Sequence, residues 1–151
     1  ESRGAPALRS GASVRIGLAT VQGLGQSAAG RIVAARAGQP FTSLLDFCRR
    51  TRLPRRLVEN LIVAGALDGI GGGKGEGSGR RGLLWQLGLL DYAEATLLDG
   101  QQPEMAPLEL PPLAPLEAMA GELRVMGVSA GPHVMAHLRA ALRKQGVIAS
   151  A

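Results

Sequence analysis

From Val14 onward the chain alternates short apolar runs with glycine or proline breaks, and most runs repeat at helical spacing. Val14–Val21 is short enough that composition leaves it open between helix and strand. Gly23-Leu24-Gly25 breaks it. Gln26–Ala37 then places Ala29, Ile32, Val33 and Arg36 at i, i+3, i+4 and i+7, which predicts an amphipathic helix with Arg31 on another face. Gly38 and Pro40 end that helix. Thr42 or Ser43 is suited to cap a short helix holding Leu44, Leu45, Phe47 and Cys48. Pro54 is suited to the first position of the next helix, which turns Val58, Leu61 and Ile62 inward and ends at Gly65.

Residues 69–79 read as a glycine-rich loop that does not pack and is expected to be mobile. Arg80–Leu98 reads as a helix with Leu83, Leu87 and Leu90 in line. The five prolines of Pro103–Pro115 predict an extended linker. Two further helices are each opened by a proline: Pro115–Val125 with Leu116, Met119 and Leu123, and Pro132–Gln145 with Met135, Leu138 and Leu142. No segment demands a sheet, so the predicted fold class is all-α.

Bulk composition narrows the class without naming a function. At 151 residues, 46% of them hydrophobic, the chain can bury a core, and 19% charged residues place it among soluble globular proteins. With 3% aromatics the core has to be built from Leu, Ile, Val and Ala. The single Cys48 excludes an internal disulfide and a cysteine zinc site, which points to a reducing compartment. No apolar run reaches the roughly 20 residues of a membrane span, nor does the start resemble a signal peptide, so the expected location is cytoplasmic. Residues 1–13 lack periodicity and read as a flexible lead-in, as though the chain begins inside a longer protein.

Charge distribution says more than the net charge of +5. Residues 31–60 hold Arg31, Arg36, Arg49, Arg50, Arg52, Arg55 and Arg56 against Asp46 and Glu59. Residues 91–122 hold Asp91, Glu94, Asp99, Glu104, Glu109, Glu117 and Glu122 with no Lys or Arg. The arginine-rich stretch suits phosphate, because guanidinium stays charged and donates in a fork. It equally suits a solvated face that keeps the domain soluble. The acidic stretch reads as a separate part.

Gly23-Leu24-Gly25 followed by a helix from Gln26 or Ser27 has physics suited to a DNA backbone. Two glycines let main chain approach a phosphate without a Cβ between, and the free N–H groups opening the helix favour an anion. Leu24 turns inward and ties the hairpin to its helices. Contacts of this kind touch phosphate and are independent of base sequence. A purely structural turn explains the same three residues. With Gln26-Ser27-Ala28, and Asp46 about 20 residues on, they also satisfy the dinucleotide fingerprint, but that fold needs several parallel strands and the chain supplies none. Ala64-Gly65-Ala66, after the helix Leu57–Val63 and before Leu67-Asp68, echoes the hairpin with one glycine and completes a pseudo-symmetric pair by packing on the first unit.

Other motifs carry less. The Lys74 loop falls short of a phosphate-binding P-loop by one residue, and Gly75 stands where Ser or Thr is required. His133 and His137 have chelating i, i+4 spacing but no third ligand nearby, so no metal site is predicted. The methionines read as gap-filling residues. No catalytic arrangement of side chains is suggested, and the expected number of catalytic residues is none.

Ordered blocks along the chain carry a resemblance. Val14-Arg15-Ile16-Gly17-Leu18-Ala19-Thr20-Val21-Gln22-Gly23-Leu24-Gly25 resembles the opening of the helix-hairpin-helix domain in bacterial DNA polymerase III alpha subunits. Arg31–Arg36, Pro40–Arg50 and Leu61–Asp68 continue it in order. Leu110-Pro111-Pro112, Met126–His133 and Leu138-Arg139 resemble the segment leading into that family's OB domain. The Cys48-Arg49-Arg50-Thr51 run and Arg81–Gly88 are closer to the error-prone branch than to the main replicase. The resemblance covers about residues 14–146, with two departures. Gln22 stands where the family often has Lys, which removes a charge, and Val134 stands where Pro is usual.

The resemblance implies a tandem helix-hairpin-helix domain over 14–70, a loop, helix and acidic proline-rich linker over 71–112, and helices over 113–151 that lead into an OB domain. It implies a non-catalytic, duplex-DNA-binding segment of an error-prone polymerase used in replication and repair of damaged DNA. The expected DNA contacts are Gly23, Leu24, Gly25, Gln26, Ser27, Arg31, Arg55 and Arg56. This segment needs no cofactor; magnesium and deoxynucleoside triphosphates belong to the parent nucleotidyltransferase, whose palm carboxylates lie upstream. Partners implied are duplex DNA, the fingers before, the OB domain after, and repair-polymerase partners. A protein-interaction module, or the DNA-binding part of a repair nuclease, would carry similar hairpins.

Overall fold

A computed structural model describes residues 15–70, 79–90 and 110–147. Among these residues a 3-10 turn at Leu18–Thr20 precedes α1 (Gln26–Gly38), α2 (Leu44–Thr51), α3 (Arg55–Val63), α4 (Arg80–Leu89), α5 (Pro115–Met126) and α6 (Val134–Lys144). No strand occurs among the described residues, so the fold is all-α as the periodicity predicts. The open segment before the hairpin resolves as the 3-10 turn, which Thr20 closes by donating its hydroxyl to Gly17 O at 2.7 Å.

Caps fix the helix ends. Ser43 is the cap of α2: its side chain accepts from Asp46 N–H at 3.1 Å, while the Asp46 carboxylate accepts from Thr42 N–H at 3.0 Å. This reciprocal pair leaves little freedom in where the helix starts. Pro115 occupies the first turn of α5. Pro54 sits one residue earlier than predicted, as the cap of α3, and α6 starts at Val134 behind His133 rather than at Pro132. α4 ends at Leu89, and the predicted continuation to Leu98 and most of the acidic linker lie outside the described residues, as does the Lys74 loop.

One core joins the hairpin to the helices behind it. Val21 and Leu24 meet Leu44, Phe47 and Cys48 of α2, Leu53, Val58, Leu61 and Ile62 around α3, Leu67, and Leu83 and Leu87 of α4. Thr51 is buried among them without cost, because its hydroxyl donates to Phe47 O at 2.8 Å. With so few aromatics, Phe41 and Phe47 meet edge to face at 4.9 Å, and the Arg50 guanidinium covers the Phe41 ring at 4.6 Å.

Two helix faces differ from the expected ones. In α1 Ala28 and Ile32 are buried, whereas the predicted Val33 is 62% exposed. Ala28 and Ile32, four apart on one face of α1, join Leu24 of the hairpin in the same core. In α5 the predicted Leu116 and Leu123 are exposed, and the buried residues are Glu122 and Val125. Gly121 lets this face close on α3, since a Cβ there would come within 2.9 Å of Val63 Cγ1. An ion pair then holds the orientation, as described below. α6 keeps Met135 and Leu138 on one side, but buries no residue.

Candidate nucleic-acid interface

The hairpin is built from the backbone outward. Gly23 has φ of 81°, a left-handed conformation that a side chain would strain, and its absent Cβ leaves room for Leu57 Cδ2 at 3.2 Å. Leu24 N–H donates to Val21 O at 3.0 Å and Gly25 N–H to Gly23 O at 3.1 Å, which closes the turn. Leu24, only 3% exposed, pins it to the core. Gln22 clamps it from outside: its N–H donates to Val125 O at 2.7 Å, and its carbonyl accepts from Asn60 Nδ2 at 2.9 Å.

Gly25 then ends the turn and begins α1. It is the helix cap in extended conformation, and no side chain accepts from the first-turn N–H groups. No acidic residue stands in that turn. Gly23, Gly25, Gln26 and Ser27 are exposed, and a Cβ at Gly25 would meet nothing within 4 Å. The result is an open helix N-terminus with unmet donors and a favourable dipole, reached over a surface without side chains. That is a seat for an anion.

The arginines divide into fixed and free. Arg31 donates to the Arg52 carbonyl at 3.2 Å, which ties α1 to the end of α2. Arg55 pairs with Glu59 at 3.3 Å across one helical turn. Arg56 is exposed and lines a cavity with Gln22 of the hairpin. Arg50 is engaged internally: it donates to the Ala35, Gln39 and Pro40 carbonyls and pairs with Asp46 at 3.0 Å. It caps the C-terminal end of α1, a structural use of charge that the arginine-rich stretch did not distinguish from phosphate binding.

The second turn shares a left-handed glycine with the first and differs in how it is closed and in what covers it. Gly65 has φ of 76°, and Ala66 N–H donates to Leu61 O at 3.0 Å, closing the end of α3. A Cβ on Gly65 would overlap the Arg80 guanidinium. Arg80 pairs with Asp68 at 3.0 Å and with Glu122 at 2.8 Å, and donates to Val63 O at 3.2 Å. Together with Leu18, Thr20 and Val21, this turn lines a shared cleft against the first unit.

Glu122 is the strongest polar element of the core. It is 6% exposed, yet Ser129 Oγ and Ala130 N–H donate to it at 2.7 and 3.1 Å. Burial pushes its pKa up, but Ser129, Arg80 and the Ala130 N–H outweigh burial and hold the carboxyl below its ordinary value. Arg80 is raised for the reciprocal reason: burial lowers it, and Asp68 and Glu122 more than compensate. Glu117 pairs with Arg81 at 2.6 Å. The end of the acidic stretch is therefore fastened to the start of α4, rather than standing apart as its charge suggested. No signal in the sequence marked Glu122, because its partner lies 42 residues away.

Among the described residues no group of three or more His, Cys, Asp or Glu is placed to hold a metal ion. His133 instead caps α6, with Nδ1 accepting from Met135 N–H at 3.2 Å. No described helix is long and apolar enough to cross a membrane.

A glycine hairpin anchored by a buried leucine, opening a helix and paired with a second glycine turn, defines a helix-hairpin-helix domain. Residues 2–76 match the family model described as a helix-hairpin-helix motif. Over most of its length the chain is similar to one segment of error-prone DNA polymerases. It is 39% identical to the error-prone DNA polymerase of Nocardia farcinica over 141 residues, which is 91% of this chain and 12% of that protein. It is 38% identical to that of Cutibacterium acnes, over 90% of this chain and 11% of the relative, and 40% identical to that of Corynebacterium efficiens, over 89% and 12%. The chain thus spans about one eighth of the length of these relatives. No solved structure matches it significantly.

Proposed function

We propose that this chain grips the phosphate backbone of duplex DNA, without reading base sequence, within an error-prone, translesion-type polymerase. The observation that carries the reading is the uncapped N-terminus of α1 behind Gly25, with no acidic residue in its first turn. The relatives' printed name, error-prone DNA polymerase, supports the setting. Gly23, Leu24, Gly25, Gln26 and Ser27 form the seat, Leu24 from beneath, while Arg56 adds charge beside it. Arg31 and Arg55 contribute positive potential from positions where they already hold the fold. Magnesium and nucleotide chemistry belong to other parts of the parent enzyme. DNA is held beyond the active site, and the partners in the chain are the fingers and OB domains.

The test is fluorescence anisotropy on two duplexes of equal length and unrelated sequence, at about 50 and 200 mM salt. Equal affinity for both duplexes, falling steeply with salt, is the expected result. Absence of binding at the lower salt refutes the reading.

The interaction-module alternative has one observation of its own: α6 buries nothing and leaves Val134, Met135 and Leu138 exposed. Reversing the charge of Arg56 separates the two, since only DNA binding depends on it.

A further inference from the structure

Beside the hairpin lies an open cavity of about 410 Å³, within the range of pockets that hold small ligands. Its floor is Val63, Leu84 and Val125, apolar side chains from α3, α4 and α5. Its rim carries Gln22 and Asn60, the pair that clamps the hairpin, and two arginines, Arg56 and Arg124. Neither arginine has a hydrogen bond or ion pair among the described residues, whereas Arg31, Arg50, Arg55, Arg80 and Arg81 all do. Glu59 also lines the cavity, but its carboxylate is engaged by Arg55. The rim therefore presents two uncompensated positive charges above an apolar floor, next to the proposed phosphate seat.

We propose that this cavity is a second backbone site, taking a sugar-phosphate unit of the same duplex that the hairpin holds. It rests on the DNA-binding reading above and adds to it a residue that no motif pointed to. Arg56 and Arg124 meet the phosphate as free guanidinium donors, and Val63, Leu84 and Val125 meet the apolar face of the deoxyribose. The placement explains how a hairpin with the uncharged Gln22 holds an anion: the charge comes from α3 and α5, across the cavity wall. Arg124 was hidden in the sequence because it follows Glu122 at the end of an acid-rich stretch.

The test compares the full chain with Arg124→Gln, Arg56→Gln and the control Arg143→Gln, in the last turn of α6. Duplex affinity is measured by anisotropy across a salt series, with thermal unfolding in parallel. Arg124→Gln and Arg56→Gln are each expected to flatten the slope of log K against log salt by about 0.9, the signature of one lost phosphate contact. Each weakens binding roughly three- to tenfold at low salt, with unfolding unchanged. Arg143→Gln leaves the slope as it is. Equal slopes for all three variants and the parent overturn the proposal, and so does an equal loss in the Arg143 control, which would mean diffuse attraction. A parent chain that binds no duplex refutes the underlying reading instead, so the two failures are distinguishable.

Discussion

Gly25→Asp should make the protein more stable and a worse DNA binder. Gly25 is the α1 cap with φ of −67° and ψ of 171°, and nothing lies within 4 Å of a Cβ placed there. An aspartate fits this backbone without strain and supplies the side-chain cap that α1 lacks. The cap contributes a few tenths of a kcal/mol, the carboxylate against the helix dipole another 0.3–1 or so, and loss of glycine freedom in the unfolded chain about 0.4–1. A net gain of about 1 kcal/mol raises Tm by roughly 2–4 °C for a chain of 151 residues. The same carboxylate occupies the anion seat. At about 5 Å from a phosphate, the repulsion is roughly 1–3 kcal/mol for an effective dielectric between 80 and 20, or about 5- to 150-fold in affinity. That separation is shorter than the screening length at physiological salt, so part of the loss persists there. Calorimetry and anisotropy on one preparation read both quantities. A raised Tm with undiminished duplex affinity would refute the seat at the α1 N-terminus, and a lowered Tm would refute the cap geometry on which it depends.

Glu122→Gln should lower stability by about 1–3 kcal/mol, measured by urea unfolding, because it leaves Arg80 partly uncompensated in the core while Asp68 still holds it. Acid should act on the same contact. Asp46, Glu117 and Glu122 are all held below their ordinary values in the folded chain. Groups depressed in this way stabilise the fold above the ordinary carboxylate range and lose that contribution as pH falls from that range through their lower folded values. Thermal scans from neutral pH downward should therefore show Tm dropping only in the acid limb, and less steeply in Glu122→Gln. Arg52→Gly should raise stability by roughly 0.5–1 kcal/mol, read in the same urea titrations, because Arg52 holds a left-handed φ of 47° and offers Arg31 only its carbonyl, which glycine retains.

Legibility in the sequence followed how local each interaction is. The hairpin was readable because all its determinants are contiguous: two glycines, a leucine to bury and a helix behind them. The start of α2 behind Thr42 or Ser43 was readable for the same reason, and the bounds of α3 to within a residue or two. The face of α5 was not, because Leu116, Met119 and Leu123 form a better apolar stripe than Gly121, Glu122 and Val125. What reverses the choice is tertiary: a glycine that admits Val63 and a carboxylate met by Arg80. The arginines illustrate the same limit. Composition counted Arg50 with Arg56, yet one caps α1 and the other faces an open cavity.

The two glycine turns differ in the charge that each favours. Each carries a left-handed glycine, with φ of 81° at Gly23 and 76° at Gly65. The difference is the helix end beside each glycine. Gly23 leads into the start of α1, where N–H groups are unmet and the dipole is positive, so the turn favours an anion. Gly65 follows the end of α3, where the carbonyls and Asp68 make the surroundings negative, so the turn favours a cation. The protein supplies that cation itself: Arg80 lies over Gly65 and bonds to Val63 O, Asp68 and Glu122. A phosphate at the second turn would have to meet those acceptors or displace a multiply bonded arginine. The two turns therefore share a left-handed glycine and not their charge, and of the two only the first is open to an anion.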